Sequence, residues 1–358
     1  MTSQNGAVNS RARDLLLGAA HIERGRVLWW AALRIGIVTC ALVALLALTG
    51  NRALALPAAL GAVLVAVADA GDDVGRRWRT MLWATFWLMV AAFIGGIGGN
   101  YVILGVIGAA IFAFVGGFAG ALGPRAALIG IVTLVIYAAF NGAPDSERTV
   151  LGQGLVVGLG GFIITLVTVL PHIVSRHAWM VALTPVPSIR ERLRGKRNLD
   201  DMFLRHAIRL TILIVLTTVV SDLTPYPHDY WLPMTIAWVT RPDADGTTSK
   251  IVLRILGTIA GVLVCFVLVD VIHINEPGVA VACGLAAAVA VGMAAANYAV
   301  TVSGITVLVI TLFTFDGDPV GETLIMRVVA TVMAGVLAFL GFYIYPATRR
   351  GSSARVPA

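Results

Sequence analysis

The chain has 358 residues, of which 58% are hydrophobic and only 13% are charged, and its formal net charge is +7. A mean hydropathy of +0.90 leaves too few polar residues to cover a soluble globule of this size, so the composition excludes a soluble protein. The Lys and Arg residues follow the ends of apolar runs instead of forming a basic soluble patch, so no nucleic-acid partner is expected.

The apolar runs predict an all-α integral membrane protein with about twelve transmembrane helices. A polar segment, 1–27, comes first, and the run behind it is too long to be the core of a signal peptide. The first block, 28–170, contains predicted helices near 28–49, 53–69, 79–97, 100–121, 124–140 and 150–170. A basic linker, 171–205, leads to the second block, 206–346, with predicted helices near 206–222, 230–241, 251–273, 277–292, 294–313 and 321–346, and a tail, 347–358, follows.

The distribution of basic residues predicts the orientation. Twelve spans put both termini on one side, and placing the termini in the cytoplasm leaves only Arg52, Arg148 and Arg327 near the outer side. Each block then starts inside and crosses six times. The two blocks are therefore predicted to be parallel repeats related by an axis along the membrane normal, which is a common way to build a pathway across a bilayer.

The two blocks share a sequence plan. Each begins with a small residue, an aliphatic residue and an arginine, continues with Leu-Pro at the start of the second helix, and has a threonine in the third helix. The matched positions are Arg34 with Arg209, Pro57 with Pro233, and Thr85 with Thr258.

The second block carries the sharper motif. It reads Tyr230-Trp231-Leu232-Pro233-Met234-Thr235, then Arg241-Pro242-Asp243, then Arg254-Ile255-Leu256-Gly257-Thr258-Ile259-Ala260-Gly261. This order of an aromatic helix start, a loop with proline and acid, and an Arg-x-x-Gly-Thr-x-x-Gly helix resembles the fusaric acid resistance protein-like family, which includes the aromatic acid exporters.

The resemblance implies a permease of the bacterial inner (cytoplasmic) membrane with six helices per module and small organic anions as cargo. It also implies that membrane lipids surround the protein, and that a periplasmic adaptor is a partner for some members. Single-module members pair, so a chain with two modules is compatible with a monomer as well as with a homo-oligomer.

Charged residues inside apolar runs are the first candidates for substrate binding, because a charge in the bilayer is costly unless it contacts protein or water. Arg34 and Arg209 would form a cationic pair at the cytoplasmic mouth, where guanidinium forks suit carboxylates. The alternative is that both reach the headgroups. Arg254 is the third candidate, and its alternative is a salt bridge to Asp243 or Asp245.

The remaining candidates concern helix breaks and aromatic contacts. Helix breaks or gating are assigned to Pro57, Pro233, Gly257, Thr258 and Gly261, and aromatic substrate contacts to Tyr230 and Trp231. The alternatives are prolines that set a helix start, glycines that only allow close helix packing, and aromatic residues that anchor the protein at the interface.

The outer acids Asp316, Asp318 and Glu322, with Arg327 beyond them, fit a gate or a proton relay, and the alternative is an ordinary solvent loop. No nucleotide-binding loop, metal-ligand spacing or catalytic cluster is recognisable, so neither an enzyme nor a cofactor is expected. The sequence therefore predicts an exporter of small anions of organic acids, aromatic or otherwise. The alternatives are an anion channel, or a non-transporting component that binds a partner or lipids through its basic linker.

Overall fold

The computed structural model describes residues 21–69, 74–143, 147–174, 189–194, 201–224 and 228–345. All regular elements within these ranges are helices, which confirms the all-α class. Most of the N-terminal segment, the larger part of the linker and the C-terminal tail lie outside the described residues.

Each of the twelve predicted apolar runs coincides with a helix. In the first block, α1 to α6 are Trp29–Leu48, Ala55–Ala68, Val74–Gly98, Val102–Phe118, Pro124–Asn141 and Glu147–Val174. In the second block, α7 to α12 are Met202–Leu223, Trp231–Val239, Ala244–Phe266, Glu276–Gly292, Tyr298–Asp316 and Val320–Ile344. A short helix in the linker, Ile189–Leu193, is called the linker helix below.

Nine helices in the described part of the chain are long and apolar enough to cross a membrane. The other three are α2 with 14 residues, α8 with 9 and α10 with 17. At 1.5 Å per residue, α8 is only about 13 Å long, less than half of a ~30 Å hydrocarbon core. The prediction that 230–241 crosses the membrane therefore does not hold for α8 alone, and a total of twelve spans stays a prediction.

The distribution of side chains is that of a protein surrounded by lipid. Large apolar residues face outward, including Trp30 at 75%, Leu48 at 85% and Ile103 at 74% exposure. Threonines lie inside instead, among them Thr39 and Thr306, which are fully buried. An apolar exterior around a partly polar interior would aggregate in water and is stable in a bilayer.

The same pairs of helices pack in each block. In the first block α2 packs on α6 and α3 on α5, and in the second block α8 packs on α12 and α9 on α11. The blocks also contact each other reciprocally, since α1 packs on α10 and α4 on α7. Two related six-helix units facing each other would produce this pattern, so it supports the predicted repeat.

Glycine contacts explain how α2 and α6 come so close. A Cβ atom added to Gly160 would overlap the carbonyl oxygen of Ala58, and one added to Gly61 would overlap the carbonyl oxygen of Val157. Both obstacles are backbone atoms of a neighbouring helix, which cannot move as a flexible side chain can. Only glycine therefore allows this approach.

We expect Gly160→Ala to destabilise the protein by about 2 to 3 kcal/mol, because the added methyl group pushes two backbones apart. The control lies on the same helix: Gly152 has open space where its Cβ would be. Gly152→Ala should leave stability unchanged or raise it by up to about 1 kcal/mol, as expected for removal of a helical glycine. Thermal unfolding of both variants in detergent tests this difference, and equal melting temperatures would contradict it.

Candidate functional site

The short helix α8 lies inside the second block. All nine of its residues are buried, and it packs against α5, α7, α9 and α12. A turn at His228–Tyr230 precedes it on the predicted outer side, and a loop at Thr240–Asp243 follows it on the predicted cytoplasmic side. A buried helix too short to cross the bilayer is typical of the broken helices that form binding sites in transporters.

The two prolines occupy matched positions in this framework. Pro57 is the third residue of α2 and Pro233 the third residue of α8, and both side chains are buried. The amide at such a position has no partner within the helix, so proline costs little there. This geometry favours the interpretation that the prolines set the helix starts, and their role in gating stays a prediction.

Two arginines of the second block are buried with guanidinium nitrogens that have no hydrogen-bond partner among the described residues. Arg254 on α9 is 1% exposed and Arg327 on α12 is 0% exposed. Nε and Nη2 of Arg254, and all three guanidinium nitrogens of Arg327, lack a partner among the described residues. Burying an ionised group without a partner costs several kcal/mol, so such an arrangement calls for a ligand.

Aromatic side chains lie close to Arg327. The guanidinium carbon of Arg327 lies 4.9 Å from the ring centroid of the fully buried Trp231. Arg327 is also close to the positive charge of Arg254 and to the phenol groups of Tyr230 and Tyr298. The sequence motif of the second block is thus assembled around Arg327, and we call Arg254, Arg327 and Trp231 the arginine site.

The positive charge of the arginine site is not neutralised by a buried acid. Among the described residues, the one buried carboxylate is that of Asp69, which lies in the first block. Asp69 Oδ1 is 2.8 Å from Arg77 Nε and forms an ion pair there. The two guanidinium groups therefore repel each other, and a bound anion would offset this repulsion.

Buried hydroxyl groups add donors near this charge. The hydroxyl of Thr258, one turn beyond Arg254 on α9, lacks a partner in the described structure, as do those of Thr306 and Tyr298 on α11. Close packing brings α9 and α11 together, since Cβ atoms on Gly257 and Gly261 would clash with Val302 and Thr306. The glycines thus act in helix packing, whereas Thr258 remains free to bind a ligand; a gating role for these residues stays a prediction.

The first block lacks this arrangement. In the second block, Arg254 lies four residues before Thr258. The matched threonine of the first block is Thr85, and the residue four positions before it is the fully buried Met81. The Thr85 hydroxyl donates to the Met81 carbonyl oxygen at 2.9 Å. In the first block the apolar side chain of Met81 thus stands where the second block has Arg254, and the Thr85 hydroxyl already has a hydrogen-bond partner. The cationic site therefore belongs to the second block.

Arg34 and Arg209 have separate surroundings. Arg34 is half-buried and lies close to the charges of Arg77 and Asp69. Arg209 is 2% exposed and donates to the carbonyl oxygens of Arg241 and, at 3.3 Å, Tyr345. Their helices pack on different partners, α1 on α10 and α7 on α4. None of the contacts described for either arginine includes the other, so these contacts do not support the expected cationic pair at the mouth.

The turn before α8 packs against the arginine site on its predicted outer side. The imidazole of His228 stacks on Trp231 with ring centroids 4.5 Å apart, and its Nε2 lies 3.2 Å from Oδ2 of Asp318. His228 has a left-handed backbone with φ of 59°, a conformation that costs of order 1 kcal/mol or more and that clusters at functional sites. Burial lowers the pKa of the His228 imidazole, and the Asp318 carboxylate opposes that effect.

Arg327 is the residue that sequence reasoning missed. The sequence places it in the predicted helix 321–346 beside the outer acids, as part of a gate, a proton relay or a solvent loop and not as a substrate-binding residue, whereas the structure buries it completely. The available signal was a single basic residue inside the long apolar run of α12, seven positions after Val320. A charge within a span is a functional candidate by default.

The neighbouring Asp229 gives a pH-dependent prediction. Burial raises its pKa to about 6, above the value of about 3.9 of an unfolded chain. The folded state thus binds the proton of the Asp229 carboxyl more tightly than the unfolded chain does. This tighter binding stabilises the fold fully below pH ~4, and the stabilisation is lost as the pH rises through 6. We expect Asp229→Asn to raise the melting temperature at pH 7.5 and to have little effect at pH 4.5, and equal effects at both pH values would contradict the assignment.

The arrangement can bind an anion but shows no place for a metal. No group of three His, Cys, Asp or Glu side chains suited to a metal ion occurs within the described residues. The guanidinium pair, the hydroxyl groups and the indole together suit a carboxylate attached to an apolar or aromatic body.

Similarity to known proteins is found in the same block that contains the arginine site. The model of the fusaric acid resistance protein-like family matches residues 214–341, which include α8 and both arginines of the arginine site. No solved structure matches the chain significantly.

Curated relatives are similar over a comparable length. An uncharacterised protein of Synechocystis sp. is 30% identical over 144 residues, which are 39% of this chain and 19% of the relative. The inner membrane protein YccS of Escherichia coli is 25% identical over 148 residues, 41% of this chain and 20% of the relative. The chain thus spans about one fifth of the length of these relatives. Its second block is similar to the fusaric acid resistance protein-like family over residues 214–341.

Proposed function

We propose that the protein is a permease that carries small organic anions across the cytoplasmic membrane through the arginine site. The observation that carries this proposal is the burial of Arg254 and Arg327 with unpartnered guanidinium nitrogens. A protein gains no stability from two such charges, so they are best explained by a ligand that compensates them. An anion passing through the bilayer needs this compensation, because it loses its water there.

A series of cations leads from the predicted cytoplasmic face toward the arginine site. Lys250 lies close to the charges of both Arg241 and Arg254, and its Nζ is 3.3 Å from the ring centroid of Tyr298. Arg254 is in turn close to Arg327. Such a series would concentrate anions at the inner mouth, and an inside-negative potential would drive them outward at ~2.3 kcal/mol per charge per 100 mV.

The aromatic side chains support a preference for aromatic acids. Trp231 contacts Arg327, His228 and Phe313, with a ring-centroid distance of 5.8 Å to Phe313. A planar substrate whose carboxylate binds the arginines would meet this group of rings. Rings of this kind favour stacked or edge contacts, which contribute about 0.5–1.5 kcal/mol per pair.

The test is efflux from proteoliposomes loaded with aromatic and aliphatic carboxylates, first under an imposed voltage and then under a pH gradient. We expect voltage-driven loss of at least one carboxylate, strongly reduced by Arg254→Gln. Arg26→Gln is the matched control, because the Arg26 side chain is 63% exposed and pairs with Glu23 at the surface. This control should transport normally.

The outcomes separate the alternative functions. Loss driven only by the pH gradient would indicate coupled export, and single-channel currents carried by the same anion would indicate a channel. No carboxylate flux under either gradient would contradict the proposal and would favour a component that binds a partner or lipids through its basic linker.

A further inference from the structure

A large cavity lies at the predicted cytoplasmic end of α8, on the opposite side from the His228 turn. Its volume is about 770 Å³. We call it the vestibule. It is bounded by the end of α4, the start of α5, the start of α7, the loop after α8, and the linker helix. The lining residues used below are Leu122, Ala127, Ile131, Arg192, Phe203 and Arg241.

The charges around the vestibule favour an anion. Arg192 and Arg241 line it, and the charge of Arg241 is close to that of Lys250. The acid in the lining is Asp243, whose Oδ2 accepts a hydrogen bond from the Gly246 amide at 2.6 Å as the N-cap of α9. The carboxylate is thus held by the start of its own helix, and the balance of charge at the cavity is positive.

The walls of the vestibule are mainly apolar. Leu122, Ile131 and Phe203 contribute large apolar surfaces, and glycines of α4 and of the turn that follows contribute bare backbone. Its volume is within the range of ~300–1,000 Å³ that holds drug-sized ligands, and far above the need of an inorganic ion. An apolar cavity with a few cations fits an amphiphilic molecule that carries one acid group.

We propose that the vestibule is a second anion-binding site, which captures amphiphilic organic acids larger than a single aromatic ring. The carboxylate binds Arg241 and the apolar body lies against Phe203 and Ile131. This proposal rests on the proposed function, since it assigns the first binding step to a site separate from Arg254 and Arg327. It also sets the upper size limit of the cargo at the inner mouth.

The probe for this proposal is 4-benzoylbenzoate, an amphiphilic carboxylate that crosslinks to nearby residues under ultraviolet light. We expect it to label the vestibule lining of the protein in nanodiscs, as mapped by mass spectrometry of its peptides. Arg241→Gln should reduce this labelling by roughly tenfold, because a charge-assisted contact is lost. The backbone carbonyl of residue 241, which accepts from Arg209, is retained in this variant.

Two further variants test size and location. Ala127→Trp narrows the vestibule and should reduce its labelling, whereas Val115→Trp, at a side chain 60% exposed on the lipid-facing surface of α4, should not. The neutral amide of the probe should label the vestibule weakly. Labelling that persists in both Arg241→Gln and Ala127→Trp, or equal labelling by the amide, would overturn the proposal.

The experiment keeps the two proposals apart. Arg254→Gln should leave labelling of the vestibule unchanged even where it stops efflux. If the vestibule proposal fails, Arg241→Gln and Ala127→Trp lose no labelling while Arg254→Gln still stops efflux. If the proposed function fails, Arg254→Gln transports normally, whatever the labelling shows.

Discussion

Replacing Arg327 with methionine is expected to reduce anion efflux by about 30-fold or more, because truncating one partner of a buried charge contact costs ~2–5 kcal/mol. The same substitution is expected to stabilise the protein. Arg327 is completely buried without a hydrogen-bond partner in the described structure, and replacing buried charges by apolar side chains of similar volume often gains about 1–4 kcal/mol. The lost contact with Trp231 offsets up to about 2 kcal/mol of this gain.

The measurement combines efflux from proteoliposomes with the melting temperature of the purified protein. A loss of activity together with a higher melting temperature is the signature of a residue kept for function at the expense of stability. Arg327→Lys keeps the charge and should retain part of the efflux. A fall in both activity and stability for Arg327→Met would mean that Arg327 is a structural residue, and would contradict its assignment to a binding site.

Replacing Arg209 with methionine is expected to have the opposite effect on stability, lowering it by about 2 to 4 kcal/mol. Its guanidinium donates to the carbonyl oxygens of Arg241 and Tyr345, and hydrogen bonds to a charged group are worth about 1.5–3 kcal/mol each. It also lies 4.9 Å from the ring centroid of Phe342. These contacts tie the loop after α8 to the end of α12.

Arg26→Met is the control for Arg209→Met, and an exposed arginine of this kind should change stability by no more than about 0.5 kcal/mol. Chemical or thermal unfolding in the same detergent compares the two variants. Efflux by Arg209→Met should survive at temperatures where the variant remains folded. A variant with wild-type stability but no efflux would instead support the earlier expectation that Arg209 binds substrate.

The sequence allowed good prediction of the helices because long apolar runs are a strong signal of membrane helices. Every predicted apolar run coincides with a helix, and the ends agree to within several residues, as for 28–49 against Trp29–Leu48. The exception is α8, whose nine residues are too few to cross the bilayer. A buried segment can be short because protein, instead of lipid, satisfies its ends.

The candidate site was predictable in part. Arg254 and Trp231 belong to one short motif, and the structure connects them through Arg327, which lies 73 residues beyond Arg254 in the sequence. That connection depends on α12 packing against both α8 and α9, which no local pattern encodes. The pairing expected for Arg34 and Arg209 came from repeat symmetry alone, and it stays a prediction, since the contacts described for each arginine do not include the other.

The most direct test of the arginine site is the position of a bound anion. Crystals of the protein soaked with 4-iodobenzoate would locate the iodine by its anomalous signal. We predict a carboxylate within hydrogen-bond distance of the guanidinium groups of both Arg254 and Arg327, with the iodinated ring beside Trp231. A signal confined to the vestibule or to the lipid-facing surface, with the arginine site empty at saturating ligand, would contradict it.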